Sequence, residues 1–307
     1  MNSILSIYPE GSAGAAPSSV APPSESDRRR ATHFRGWAKP GPEPPGATSG
    51  EGPGEGETLD AISGHYRLYQ LREGHRFSTD DILTAWYGTS WCPTARTALD
   101  LGSGIGTVGL IAAWRLPGAR FVTVEAQEIS VALARRSARY NGVVERYDIR
   151  LGDFRMPGVL GADERFDLIT GSPPYFPLGT GVESEHPQKL ACRFELRGTV
   201  ADYCGIAARH LAAGGWFACV FPDEPAQRER VVAGARQAGL VIVRRRPVVF
   251  REGDPPLVAL YGMMRGDDLP PEFREQTWDE PPLIIRDRAG RIHPEYSAVK
   301  LAIGFPP

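Results

Sequence analysis

Three glycines in five positions, Gly102, Gly104 and Gly106, follow the short apolar run Ala98-Leu99-Asp100-Leu101. They precede Thr107 to Trp114, in which Val108, Leu110, Ile111 and Trp114 have helical spacing. Only glycine turns so sharply from strand into helix at little steric cost, and it lets a ligand approach the main chain closely. Such a turn opens an α/β sheet, and the alternation continues downstream. Residues 121–124 read as a strand ending at Glu125, 128–140 as a helix stopped by Asn141-Gly142, and 147–151 and 166–170 as strands. A helix over 198–211, a strand over 216–221, a helix over 225–238 and strands over 241–243 and 257–263 follow. Strands alternating with helices predict an α/β fold, a mostly parallel seven-stranded sheet with helices on both faces. The last two strands lack a helix between them, so one of them is expected to run antiparallel.

Upstream, Tyr66-Arg67-Leu68-Tyr69-Gln70-Leu71 alternates like a strand, and Ser78 or Thr79 is placed to cap a helix carrying Ile82, Leu83, Trp86 and Tyr87. Residues 1–57 are rich in Gly, Pro, Ser and Ala and poor in large apolar side chains, so they are expected to be a disordered tail. Arg28-Arg29-Arg30 within it reads as a solvated charge run. Residues 58–307 are expected to form one domain, with the proline-rich segment from Pro270 packed on it and an edge strand over 283–287. The 307 residues carry a formal charge of −2, so the chain as a whole is no electrostatic magnet for nucleic acid. Cys92, Cys192, Cys204 and Cys219 form no C-x-x-C pair. That speaks against a disulfide framework or a metal site and suits a reducing, cytoplasmic compartment. No apolar run approaches a membrane span, and the N-terminus lacks the pattern of a secretory signal.

A G-x-G-x-G turn by itself fits a dinucleotide site or a plain tight turn. Three details favour S-adenosylmethionine. Asp100 sits before the first glycine, where a carboxylate can hold an amino-acid end. The turn Gly102-Ser103-Gly104-Ile105-Gly106 lacks the spacing needed to cradle a pyrophosphate. Glu125 ends the next strand, where a carboxylate can accept both ribose hydroxyls. After the third strand, Gly152-Asp153-Phe154 offers a carboxylate for an adenine amino group and a ring to stack on it. Ser172-Pro173-Pro174-Tyr175 follows the fourth strand, at the sheet edge where open α/β folds bind ligands. Two prolines remove two backbone donors, which leaves carbonyls free to accept. The Ser172 hydroxyl and the Pro173 carbonyl can therefore hold an amino group, while Tyr175 or Phe176 stacks on a planar base.

These motifs resemble the class I methyltransferases that carry N/D/S-P-P-Y/F. More narrowly, the chain is similar to the bacterial tRNA1(Val) adenine-37 N6-methyltransferase group and its small-methyltransferase-domain relatives. The narrower likeness rests on Gly74-His75-Arg76-Phe77-Ser78-Thr79-Asp80, on Phe166-Asp167-Leu168-Ile169 running into P-P-Y-F, and on Gly179-Thr180-Gly181. Arg193 with Glu195, and Pro282 to Ile285 with Tyr296-Ser297, add to it. The resemblance spans about residues 65–300. It implies a Rossmann-like methyltransferase fold, S-adenosyl-L-methionine as cofactor, no metal, and methyl transfer to an exocyclic amine, with tRNA favoured as substrate and a monomer as the working form. It also places Thr79 and Asp80 at the cofactor pocket, although helix capping accounts for both equally well. The group carries Asn where this chain has Ser172. Glutamine-amide methylation of a protein, or cofactor binding without turnover, stay open as alternatives. An RNA substrate would use a basic rim, for which Arg72, Arg76, Arg193, Arg197, Arg244-Arg245-Arg246 and Lys300 are candidates.

Overall fold

The structure, a computed structural model, describes residues 32–34, 36–49, 51–176, 188 and 194–307. Arg28 to Arg30, Gly179 to Gly181, Cys192 and Arg193 lie outside the described residues. Residues up to Ala38 form a unit of their own, in which β1 (His33–Phe34) pairs antiparallel with β2 (Trp37–Ala38). The second unit, from Lys39 to Pro307, contains everything described below.

Its centre is a sheet in the order β10-β11-β9-β8-β5-β6-β7. The strands are β5 (Thr97–Leu101), β6 (Arg120–Glu125), β7 (Tyr147–Leu151), β8 (Phe166–Gly171), β9 (Leu211–Pro222), β10 (Leu240–Val249) and β11 (Val258–Arg265). Strands β5 to β9 run parallel to one another, and β11 runs antiparallel to both β9 and β10. Two further pieces, β12 (Trp278–Asp279) and β13 (Leu283–Ile284), pair with the outer side of β10 and bring the sheet to nine strands. The seven strands read from the sequence are therefore the body of the sheet, with β13 shorter than the 283–287 run suggested.

Side chains alternate between two cores, as the pleat demands. Phe217, Cys219 and Phe221 join Leu99, Leu101 and Ile169 on one face, under α4 (Val200–His210) and α5 (Pro225–Gln237). Trp216, Ala218 and Val220 point the other way, toward α1 (Thr79–Trp91), α2 (Thr107–Arg115) and α3 (Glu128–Tyr140). A hairpin of β3 (Glu57–Ser63) and β4 (Tyr66–Leu71) lies against α3, where the Ser137 hydroxyl accepts the Tyr69 amide and the Asn141 side chain accepts the Arg67 amide. Both faces being covered is what makes these strands near-continuously apolar.

The folded unit begins earlier than composition indicated. Gly46 is buried against Tyr140, and the Tyr69 hydroxyl donates to the Glu51 carbonyl. A segment of glycine and proline contributes backbone rather than large side chains to such contacts, so its apolar content gives no sign of them. The C-terminal segment closes the other side. Tyr296 and Val299 of α6 (Pro294–Ala302) are buried, and the Gly304 carbonyl accepts the Gly64 amide. Gly41, Gly64 and Gly304 converge on the Trp114 indole, and a β-carbon at Gly304 would stand 2.7 Å from that ring.

Beyond the cavity edge of the sheet, Asp223 is buried and accepts both terminal bonds of Arg245 at 2.6 and 2.5 Å, while Arg228 reaches the same carboxylate at 3.2 Å. Removing one partner of a buried pair leaves the other charge uncompensated, which costs several kcal/mol. Asp223→Ala is expected to lower the unfolding free energy by roughly 3 kcal/mol in urea titrations. A loss below about 1 kcal/mol would show that Asp279, 2.7 Å from Arg245, is partner enough.

Candidate active site

Strand order reverses between β5 and β8, and at that switch point the carboxyl ends of β5, β6, β7 and β8 open into a cavity of about 530 Å³. Its volume lies within the range of small-molecule sites, roughly 300 to 1,000 Å³. The cavity brings together Asp80, Asp100, Gly102, Ser103, Gly104, Glu125, Asp153, Phe154, Ser172, Pro173 and Tyr175 from the sequence reading. Two expected residues stand apart. Gly106 shapes the turn at φ +89° and packs on Ala134. Thr79 is turned away, bonded to Tyr296, and its neighbours Ser78 and Asp81 line the wall instead.

The glycine turn is built by necessity. Gly102 has φ +59°, and a β-carbon there would lie 2.1 Å from the Tyr203 hydroxyl. Gly104 has φ +54° and nothing within 4 Å of where its β-carbon would be, so the backbone faces open cavity. Its amide donates to Glu125 at 2.9 Å, and the Gln127 amide donates to the other oxygen at 2.7 Å. Glu125 is thus fixed at the end of β6 with lone pairs still free for hydroxyl donors.

Asp100 is held differently from the expectation. One oxygen accepts the Gly109 amide at 3.1 Å and the other the Thr170 hydroxyl at 2.8 Å. Gly106 has no side chain to cap α2, so a carboxylate from the preceding strand takes one of the helix's first unpaired amides. Asp153 is likewise occupied, gripped by the Arg155 guanidinium at 2.6 Å, and that side-chain bond holds its carboxyl below the usual range. Phe154 packs edge-on against Tyr203 with centroids 4.8 Å apart. Tyr175 donates to Asp80 at 2.7 Å, which pins the Ser-Pro-Pro-Tyr loop to the first turn of α1. Burial, and then Asp80, push the Tyr175 hydroxyl well above its ordinary value.

Six carboxyl groups line this one space, those of Asp80, Asp81, Asp100, Glu125, Asp153 and Glu224. Burial raises Asp80, Asp81 and Glu125 above the usual carboxylate range and pushes Asp100 up to about 7, with Asp81 and Glu125 adding repulsion at Asp100. Arg197 at the wall opposes the shift at Glu125 without cancelling it. A cavity of this kind favours a ligand that brings positive charge. S-adenosylmethionine brings a sulfonium and an ammonium, and its ribose hydroxyls suit the free lone pairs of Glu125. The buried Ser103 hydroxyl has no hydrogen-bond partner among the described residues, a further vacancy for a polar ligand. The residues present therefore fit that cofactor.

Sequence reasoning missed Asp81, which accepts the Ser78 amide at 2.8 Å, and Tyr203, which lies within the helix read over 198–211. The Ser78-x-x-Asp81 spacing was the available signal for the first. Nothing local marks the second. Most of the basic rim is also spoken for. Arg244 lies 3.5 Å from the Trp91 ring centroid and pairs with Glu280, Arg246 lies over Trp86, and Arg245 is held by Asp223. Arg76 pairs with Asp60, and Lys300 is half-buried. Arg72 is exposed, and among the described candidates Arg197 alone lines the cavity.

The Methyltransferase small domain family matches residues 87–190. A tRNA1(Val) (adenine(37)-N6)-methyltransferase of Histophilus somni is 25% identical over 236 residues, covering 76% of this chain and 92% of that one. One of the same name from Pasteurella multocida is 26% identical, covering 72% and 86%. A crystal structure of a predicted O-methyltransferase from Agrobacterium tumefaciens superposes with a TM-score of 0.56 at 17% identity, covering 74% of this chain and 98% of that one, and shows the shared fold. The chain is a class I S-adenosylmethionine-dependent methyltransferase. Within that class it is similar to the tRNA1(Val) adenine-37 N6-methyltransferase group.

The proton that Asp100 retains has a consequence for stability. An acid raised in the folded state stabilises fully below its unfolded value, about 4, and that contribution is lost as pH rises through about 7. Asp100→Asn cannot titrate. Its unfolding free energy relative to wild type, from denaturant titrations without cofactor, is expected to improve steadily from pH 4 to pH 8. A difference independent of pH would place the retained proton elsewhere.

Proposed function

We propose that this methyltransferase acts on the exocyclic amino group of a nucleobase in RNA, with adenine N6 in tRNA the favoured target. The observation that carries the reading is the Ser172 hydroxyl. It is buried at the cavity wall and has no hydrogen-bond partner among the described residues. A buried hydroxyl without a partner is costly, and a substrate amine would satisfy it. Pro173 and Pro174 follow directly and carry no N–H, so the loop offers acceptors where an amino group needs them.

The cavity has a second half that suits a planar ring. Beyond Ser172 its walls are Tyr175, Phe176, Pro222, Phe250 and Leu257, and Phe176 is 42% exposed. Aromatic walls of this type stack an extruded base at about 1–3 kcal/mol per base. Gln227 stands at the rim with its carbonyl accepting Arg230 at 2.8 Å, which turns its amide donors to other uses. The anionic half and the aromatic half meet at Ser172.

When bound, the cofactor supplies an electrophilic methyl group. The protein's part is alignment. Ser172 and the Pro173 carbonyl would orient the amine, the Asp80–Tyr175 bond keeps their loop in place, and the apolar walls exclude water. Little acid–base chemistry is required, and rate would come from fixing the reactants in line. The Histophilus somni and Pasteurella multocida relatives are named for N6 methylation of a tRNA adenine, which agrees with this chemistry. The difference at Ser172, which is shorter than Asn, bears on which base fits rather than on the class of acceptor.

Incubation with labelled S-adenosylmethionine and separate tRNA, rRNA and protein pools tests the reading. Label is expected in RNA, recovered as N6-methyladenosine after digestion to nucleosides. Label in protein alone would sink the RNA reading and point to glutamine amide. Cofactor binding with no transfer to any pool would mark an inactive binder. Ser172→Ala is expected to lower kcat by about 10- to 100-fold, as loss of one orienting contact does. Its Kd for S-adenosylmethionine, from calorimetry, should stay within about twofold of wild type. Equal losses in both would assign Ser172 to the cofactor.

A further inference from the structure

On the amino edge of the sheet, opposite the cavity, a second open hollow of about 550 Å³ is lined by Arg120, Arg135, Arg139 and Arg146. Arg120 opens β6, and Arg135 and Arg139 lie one turn apart on α3 with exposed side chains. Arg96 stands next to Arg120, whose amide donates to the Arg96 carbonyl at 2.8 Å. Several arginines elsewhere are paired with carboxylates, as Arg136 is with Glu57 and Arg150 with Asp148 and Glu164. None of the four guanidiniums in the hollow has a carboxylate within ion-pair distance among the described residues. Two carboxylates, Glu145 and Asp148, also border it; Asp148 is committed to Arg150, and four guanidiniums still leave the hollow net positive.

Arg146 is held rigidly, donating to the carbonyls of Ala113, Leu116 and Ala119 at 2.8, 3.3 and 3.1 Å. It fixes one side of the hollow and at the same time closes the last turn of α2. The floor, Phe121 and Tyr147, is buried and stacked on itself at 5.8 Å, so no ring is presented for a base to stack on. Positive charge without exposed aromatic faces suits phosphates rather than bases. A concentration of unpaired arginine on a chain of net charge −2 is complementary to a polyanion.

We propose that this hollow is a contact site for the phosphate backbone of the RNA substrate, remote from the acceptor base. The inference rests on the RNA reading above. Six residues of β6 separate the hollow from the cavity, roughly 20 Å. A free nucleoside cannot bridge that distance, whereas a folded RNA can. The contact would add sequence-independent affinity and set the angle at which the RNA meets the cavity.

The test uses the full chain and unfractionated tRNA, with binding followed by fluorescence anisotropy from 50 to 200 mM salt. The triple variant R120A/R135A/R139A keeps Arg146 because of its structural role. It is expected to bind tRNA at least tenfold more weakly at the lower salt. Its log Kd against log salt should be shallower than wild type by about two to three. Its affinity for S-adenosylmethionine should be unchanged, which also reports that it folds. The corresponding lysine triple should regain most of the slope, since charge is what a phosphate reads. A triple alanine variant that binds tRNA within twofold of wild type, with the same slope, overturns the proposal, and so does a lysine triple that regains none of it. The two readings fail separately. Wild-type transfer to protein and to no RNA removes the RNA reading, whereas RNA methylation with unchanged binding by the alanine triple removes this site alone.

Discussion

Asp100 ties together three pieces that have to be in register before a cavity can exist at all. Its carboxyl group accepts one of the first free amides of α2, that of Gly109, crosses the switch point to Thr170 on β8, and stands just before a turn in which no side chain can help. The turn must lack side chains because Tyr203 crowds Gly102 and because the main chain at Gly104 forms the cavity wall. A helix that begins on glycine needs its cap from elsewhere, and the strand before it is the nearest source. The residue that looks from its position like a direct ligand contact is therefore first a structural joint. Its retained proton follows from the same placement, since a group so deep among other carboxyls is more stable uncharged.

The features legible in the sequence are those governed by local rules. The apolar run over 216–221 marked a strand, and the glycine turn marked where the first strand ends. Positions at the ends of parallel strands put Glu125 and Ser172 at one edge of the sheet. What was not legible depends on contacts between distant positions. The Arg244 to Arg246 run resembles a nucleic-acid patch, but strand geometry sends its members to opposite faces, where Trp91, Glu280 and Asp223 hold them. Arginines that lack a carboxylate partner, at 120, 135 and 139, are scattered along the chain and gather only when β6 and α3 pack. Thr79 and Asp80 are neighbours in sequence, yet one faces Tyr296 and the other Tyr175.

The two ends of the sheet carry opposite electrostatic characters. At the carboxyl edge, carboxyl groups outnumber the one guanidinium of Arg197, which suits a small cation. At the amino edge, four guanidiniums outnumber the carboxylates of Glu145 and Asp148 and pair with neither among the described residues. A ligand that is positively charged and a substrate that is negatively charged are thereby drawn to different surfaces. The strongly basic patch that an RNA enzyme is expected to need around its pocket would repel the cofactor from that same pocket.

Trp114 gives the fold a property that neither the sheet nor the cavity supplies. Its indole is covered by Gly41 and Gly64 from the front of the folded unit and by Gly304 from its end. Positions some 260 residues apart thus share one aromatic surface and one backbone hydrogen bond, Gly64 to Gly304. Peeling either flank away uncovers the ring that the other flank rests on. The margins of the domain, ordinarily the first parts of a protein to fray, are in this way made to open together.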